Sequence, residues 1–320
     1  MKLLFFGSPD FAVPSLRALH AAGHDALRVV TRPDKPRGRG REPAATAVAR
    51  VAEELGLDTC KPKSANNAEP VRELSATGAE LGVVVAYGEI LSPELLEATE
   101  RGFLNVHASL LPDYRGAAPI NWAVMRGEQV TGVSVIRMEP ELDAGPLLAR
   151  REVGIGPQET AGELYDRLAQ VGAELITDVV GRIERGEPVP EEPQPAEGGF
   201  FARKLTKADG RVDWSRSAAE VCNHVRGVTP WPGARCSLEH DGQRTEVTLL
   251  SVEPPGLEGP QEPPGTILRA GEKAGLVVST GGGGVRILEL KPAGSRRMSA
   301  RDFIHGHAVE PGDRFVGRGR

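Results

Sequence analysis

Short apolar runs closed by glycine, proline or polar clusters recur through the first half of the chain, at Leu3 to Phe6, Ala26 to Thr31, Leu81 to Ala86, Gly102 to Val106 and Gly132 to Met138. Runs this short and unbroken predict strands buried on both faces, as in a parallel sheet. Helical patterns lie between them. Gly7-Ser-Pro-Asp10 predicts a turn into a helix that runs to about Ala22 and stops at Gly23, and Pro43 to Leu55 carries Ala and Val at helical spacing before Gly56. Ala68 to Ala76 and Ile120 to Arg126 predict shorter helices, Leu147 to Val153 a strand, and Thr160 to Ile183 a long amphipathic helix. Strands and helices in alternation predict an α/β domain with a Rossmann-like open parallel sheet.

The pattern then changes. Gly186 to Gly199 holds four prolines and four glutamates and predicts an extended linker. Ser217-Ala-Ala-Glu220 has the form of a capping box, placing a helix over about Ala218 to Gly227. Beyond Trp231-Pro-Gly-Ala234, runs at Glu246 to Val252, Gly265 to Leu268, Gly275 to Ser279 and Val285 to Leu290 alternate with Gly/Pro turns, the spacing of a small barrel. Gly281 to Gly284 predicts a turn between two strands; no Lys-Ser/Thr and no helix follow, as a phosphate loop would require. The divisions are therefore a first domain over 1–185, a linker over 186–207 and a second domain over 208–320.

Composition adds limits. With 320 residues, 39% hydrophobic and 26% charged, the chain can build two cores, and its net charge of -5 excludes a uniformly basic nucleic-acid binder. Cys60, Cys222 and Cys236 are odd in number and form no C-x-x-C pair, so neither a disulfide framework nor a zinc ribbon is indicated. No run approaches the roughly 18 apolar residues of a membrane span, and the first run is too short for a secretory signal. A soluble, cytoplasmic protein is expected. One local charge cluster stands out: Arg32-Pro-Asp-Lys-Pro-Arg-Gly-Arg-Gly-Arg41 has five basic residues and one acid in ten, and its Pro and Gly content predicts a basic loop. G-x-G-x-x-G is missing after the first strand, which gives a dinucleotide site little support.

The chemistry concentrates after the fourth apolar run. Asn105 and His107 are two apart in a predicted strand and so project from one face. Ser109 to Pro112 leaves that strand's carboxyl end, where open sheets place ligands, as does Tyr87-Gly-Glu-Ile-Leu91 after the preceding strand. Leu142-Asp143-Ala-Gly-Pro146 follows the next strand. Read singly, such an Asn, His or Asp is an ordinary loop or turn residue. Among the other histidines, His305 and His307 are two apart, but no Cys or carboxylate cluster accompanies them at ligand spacing, so no metal site is expected. His20, His24, His224 and His240 read as surface or structural positions.

Taken together, Asn105-Val-His107-Ala-Ser109-Leu-Leu-Pro112, Tyr114-Arg-Gly-Ala-Ala-Pro-Ile120, Thr131-Gly-Val and Leu142-Asp143-Ala-Gly-Pro resemble the signature of the 10-formyltetrahydrofolate-dependent formyltransferases. The resemblance extends from Phe5-Phe-Gly-Ser-Pro-Asp-Phe-Ala12 to Gly210-Arg-Val-Asp-Trp214 and beyond, and is strongest to members that formylate methionine carried on initiator tRNA. It implies a Rossmann-like formyltransferase domain followed by an OB-like tRNA-binding domain, with Asn105, His107 and Asp143 as the catalytic residues. Formyl transfer to an amine passes through an oxyanion: Asn105 would donate to it, His107 would donate when protonated, and Asp143 would favour that form and fix the ring. The resemblance also implies a folate pocket lined by Tyr87, Gly88, Ile90 and Leu91 and met through the backbone of Ser109, Leu110, Leu111 and Pro112. The basic loop, with Arg37, Arg39 and Arg41, would enter the tRNA acceptor end, and Lys204 and Lys207 would face phosphates. The implied co-substrate is 10-formyltetrahydrofolate, without a metal, in a monomer that touches no membrane. Three positions depart from the family pattern: Asp113 stands at a usually basic place where an acid would repel phosphate, and Ser134 and Ala144 replace the usual threonines.

The nearest enzymatic rivals, two other formyltransferase classes and the formyltetrahydrofolate hydrolases, share the Asn, His and Asp. A glycinamide ribonucleotide formyltransferase is usually one domain with a Gly/Ser-rich loop where this chain has Gly7-Ser-Pro-Asp-Phe-Ala, and a sugar-amine enzyme would not need the basic loop. A formyltetrahydrofolate hydrolase, a non-catalytic RNA-binding relative and a nicotinamide-dependent oxidoreductase are the remaining alternatives.

Overall fold

The computed structural model describes residues 1–37, 42–195, 198–254 and 262–317. Two compact units emerge: Met1–Pro119, Val130–Gly154 and Tyr165–Ala202 form the first, and Ile120–Gln129, Ile155–Leu164 and Arg203–Arg320 the second. The segment expected as a linker runs with the first unit as far as Ala202. Its backbone finds partners there: Leu147 N donates to Glu192 O at 2.8 Å and Glu192 N to Leu147 O at 2.9 Å.

The first unit is built on a seven-stranded sheet in the order Leu147–Gly154, Val130–Arg137, Phe103–His107, Leu81–Val85, Lys2–Gly7, Asp25–Val30, Thr59–Cys60. The central strands pair in parallel and are buried almost throughout, as their unbroken apolar character requires. The departure is Val130–Arg137, which runs antiparallel to Phe103–His107, with His107 opposite Ser134 and Leu104 opposite Arg137. Its outgoing connection therefore starts level with Leu104. Asp143 thus approaches the face of the sheet instead of sitting at a carboxyl end.

Helices Val13–Ala21, Ala68–Ser75, Pro119–Arg126 and Ala161–Glu184 form where the periodicity places them. The helix expected from Pro43 begins only at Ala47, with Thr46 Oγ1 accepting from Ala49 N at 3.1 Å. The residues before it are extended: Glu42–Ala44 pairs antiparallel with Lys35–Arg37, so the basic stretch read as a loop supplies one strand of a two-stranded ribbon. Pro43 disfavours helical backbone at Glu42, which pushes that residue into the strand. Among the described residues, no helix is long and apolar enough to cross a membrane.

In the second unit a curled antiparallel sheet runs Ile267–Gly271, Gly275–Ser279, Gly284–Pro292, Gln243–Glu253, Ala234–His240, Arg314–Val316, and Met298–Ser299 adds to Gly284–Pro292. Ile267 N donates to Asp313 O and Phe315 N to Gly265 O, each at 2.8 Å, which joins the two edges into a barrel-like closure. Helix Ala218–Gly227 carries the expected capping box of Ser217 and Glu220. Strands Ala234–His240 and Arg314–Val316 and helix Ala300–His307 are additional to the elements expected from the sequence.

The second unit also holds a half-buried histidine. Burial, with the Arg216 charge as a lesser cause, pushes His224 from 6.5 down to about 4. The unfolded chain takes up a proton near pH 6.5 that the folded unit refuses until about 4, so stability falls as pH drops through that window. Burial lowers His24 in the first unit as well. Thermal unfolding followed from pH 7 to pH 4 is expected to show a falling midpoint, and His224→Gln is expected to flatten that fall for the second unit.

Candidate functional site

Asn105 and His107 project from one face of Phe103–His107, as their spacing dictates. Asp143 meets both. Its Oδ1 lies 3.4 Å from Asn105 Nδ2 and 3.6 Å from His107 Nδ1, while its Oδ2 accepts from Gly116 N at 2.9 Å. The His107 and Asp143 side chains are only 7% and 10% exposed, so this carboxylate works in a weakly screened setting. The other ring nitrogen is engaged as well. His107 Nε2 lies 2.9 Å from Tyr114 O, a carbonyl that only accepts, so Nε2 carries the hydrogen. Nδ1 and Oδ1 then attract each other only when a proton lies between them.

Local backbone holds this geometry. Asp143 and Tyr114 have left-handed φ values of 51° and 62°, unusual for non-glycine residues and sustained by their neighbours. A Cβ on Gly145 would stand 2.0 Å from Arg137 O, and one on Gly116 2.8 Å from Ala202 O, so only glycine permits the approach on either side of the carboxylate. Gln194 Nε2 donates to Asp143 O at 3.0 Å and to Gly145 O at 2.6 Å.

The loop after His107 is tied down by Ser134. Its Oγ donates to Ser109 O at 2.7 Å and accepts from Leu111 N at 3.1 Å, both buried. The hydroxyl expected of a threonine there is thus kept. Ser109 Oγ donates to Asp113 O at 2.6 Å, Leu111 packs with Ile136 and Leu147, and Leu110 lies against Gly132. Pro112 is half-buried and Asp113 exposed.

The other expected folate loop divides into inward and outward parts. Tyr87 and Leu91 are each 2% exposed and belong to the core with Leu4, Phe6 and Phe103. Tyr87 packs edge-on against Phe6, ring centroids 5.3 Å apart, and burial pushes its phenol up to about 12. Their side chains are thus committed to packing, whereas Ile90 is 60% exposed and Gly88 turns the chain at φ 87°. Glu89 anchors the loop, accepting from Arg32 Nη1 at 2.6 Å, from Ala65 N at 3.2 Å and from the Ser64 hydroxyl.

Of the residues expected at tRNA, Arg39 and Arg41 lie outside the described residues, as does the side chain of Arg37. Lys204 and Lys207 are exposed in the second unit. Beside them Arg203 pairs with Asp209 and stacks over Trp122 at 5.0 Å. Gly116, Gly145 and Gln194 carry parts of the site that the sequence did not single out, and Ser134, noted only as a departure from the family pattern, carries another. Gln194 had only a faint signal, as the one amide in a Pro/Glu run.

Family models match most of the chain: Formyl transferase over residues 1–180 and Formyl transferase, C-terminal domain, over residues 204–308. A methionyl-tRNA formyltransferase of Symbiobacterium thermophilum is 44% identical over 318 residues, covering 98% of this chain and 95% of that one. One from Heliobacterium modesticaldum is 43% identical over 320 residues, with 98% and 100% covered. Among solved structures, HypX from Aquifex aeolicus in complex with tetrahydrofolic acid is similar in fold, with a TM-score of 0.59 at 19% identity over 95% of this chain. The chain spans about half of that protein, 47% of its length.

Ser134 gives a direct test of how the loop after His107 is held. Ser134→Ala leaves a buried carbonyl and a buried N–H without their partner, and is expected to lower the unfolding free energy by about 1–3 kcal/mol, read by denaturant titration.

Proposed function

The chain belongs to the formyl transferase family and, like the relatives that share its whole length, formylates methionyl-tRNA; we propose that Asn105, His107 and Asp143 carry out the transfer. The formyl donor is a formyl-tetrahydrofolate, here taken as 10-formyltetrahydrofolate. The acceptor is the α-amino group of methionine on initiator tRNA, and the product serves translation initiation.

What supports the assignment of the three residues is the convergence of the Asn105 amide and the His107 ring nitrogen Nδ1 on one carboxylate oxygen in a nearly closed setting. The amine nitrogen attacks the formyl carbon, the carbonyl π pair moves onto oxygen, and Asn105 Nδ2 donates to the oxyanion that forms. The amine loses one proton, for which Nδ1 of His107 and Oδ1 of Asp143 offer a place between them. When the intermediate collapses, the bond from the formyl carbon to N10 breaks, and N10 takes up a proton as tetrahydrofolate leaves. His107 stays oriented throughout by the Tyr114 carbonyl, and Asp143 by the Gly116 N–H.

Around this centre, the 109–112 backbone and the 87–91 turn contact the folate, with Tyr87 and Leu91 contributing main chain and Ile90 its exposed side chain. Residues 1–185 form the catalytic domain and 208–320 the tRNA-binding domain. Arg37, Arg39 and Arg41 approach the acceptor end, and Lys204 and Lys207 approach phosphates. The enzyme works as a cytoplasmic monomer and uses no metal, because the Asn105 carboxamide supplies the electrophilic assistance.

Asn105→Ala and His107→Ala are each expected to lower kcat about 10²- to 10³-fold. The assay is formyl transfer from 10-formyltetrahydrofolate to methionyl initiator tRNA, run beside elongator tRNA, glycinamide ribonucleotide and an amino-sugar nucleotide. Values within a few-fold of wild type would remove these residues from the chemistry, and transfer to a small amine alone would move the substrate assignment.

A further inference from the structure

Gln194 sits in the stretch whose composition reads as a linker, yet it is half-buried while Glu191, Glu192, Pro193 and Pro195 around it are exposed. We propose that Gln194 is a positioning residue for Asp143, acting on the reaction through the carboxylate without touching substrate. The proposal rests on the catalytic role assigned to Asp143 above.

Every polar atom of the Gln194 amide is engaged, and the partners fix which way round it lies. The two hydrogens on Nε2 go to Asp143 O at 3.0 Å and Gly145 O at 2.6 Å, the carbonyls on either side of Ala144. Oε1 accepts from the Arg115 guanidinium, from Nη2 at 2.9 Å and Nε at 3.3 Å. The guanidinium is itself held, since its Nη2 also donates to Pro195 O at 3.0 Å. A flipped amide would set its NH2 against the guanidinium and its oxygen against two carbonyls, so one orientation is selected.

This arrangement grips Asp143 from both ends. Its backbone is in a left-handed conformation that a non-glycine residue keeps only when its surroundings impose it. Gln194 imposes it from the carbonyl side. The carboxylate end is held by Gly116 N, the residue after Arg115, so the two grips meet at adjacent positions of one short strand. That strand, Arg115–Gly116, pairs with Phe201–Ala202, and Ala117 N donates to Ala202 O at 2.8 Å. One segment of chain thus supplies both the amide that clamps the Asp143 backbone and the strand that seats the N–H on its side chain. With Oδ1 placed 3.6 Å from His107 Nδ1, little displacement is needed to lose the pairing.

The discriminating variant is Gln194→Glu, which keeps shape and the Arg115 contact but turns an oxygen toward the two carbonyls. In steady-state formyl transfer to methionyl initiator tRNA, kcat is expected to fall about 10- to 10²-fold, with KM for folate and tRNA within about 3-fold of wild type. Gln194→Met, read by the same criteria, serves if the glutamate variant does not fold, and thermal melts report folding for both. In the Asp143→Asn background, adding Gln194→Glu is expected to cost less than about 2-fold more, because its effect passes through the residue already changed. Wild-type kcat in a folded Gln194 variant, or a full additional loss in the Asp143→Asn background, overturns the proposal. If Asp143→Asn itself keeps wild-type kcat, the catalytic assignment fails and this proposal with it. An inactive Asp143→Asn beside active Gln194 variants removes the positioning role alone.

Discussion

Everything in the first unit that bears on chemistry depends on how two carboxylate oxygens are shared. Asp143 has one oxygen facing the Asn105 amide and the His107 ring, and one committed to the Gly116 N–H. That division gives the acid a fixed orientation, and a fixed orientation gives Asn105 and His107 a common target. The surrounding features can be traced to it: glycines where the backbone must come close, left-handed φ at Asp143 and Tyr114, and a serine that pins the loop after His107. Each is a local cost or constraint made worthwhile by the alignment of three side chains.

The direction of one strand explains why the alignment is possible. A sheet parallel throughout would send each connection off at the same end, and acid and donors would crowd one rim. Because Val130–Arg137 turns back along Phe103–His107, the loop that bears Asp143 starts near Leu104 and lies over the face from which Asn105 and His107 project. The donors come from a strand and the acid from a connection.

The sheet was legible because its strands are unbroken apolar runs, and the three polar residues were legible because their spacing and flanking motifs are specific. Other parts were hidden for physical reasons. Ala234–His240 buries Ser237 among its apolar residues, so its hydropathy alternation is blurred. Helix Ala300–His307 is capped by Ser299 through Asp302, a shorter variant of the capping pair. Lys35–Arg37 and Glu42–Ala44 pair through backbone bonds in a stretch whose prolines and glycines advertise irregularity. Gln194 was masked by the prolines around it, since a polar residue's partners are set by tertiary contacts that no local pattern encodes. Tyr87 and Leu91 show the opposite limit: a strand-end position announces a ligand-facing loop but not which of its side chains turn inward.

The closure of the second unit's sheet has its own consequence. Exposed strand edges offer rows of unpaired backbone groups to any passing chain, and proteins spend much of their surface blunting them. Here the bonds from Ile267 to Asp313 and from Phe315 to Gly265 turn two edges into one seam. The seam is short, with Arg314–Val316 as its outer strand. The resistance of this unit to strand-by-strand self-association is therefore concentrated in a few backbone bonds between 265–267 and 312–315, and fraying there would bare two sticky borders at once.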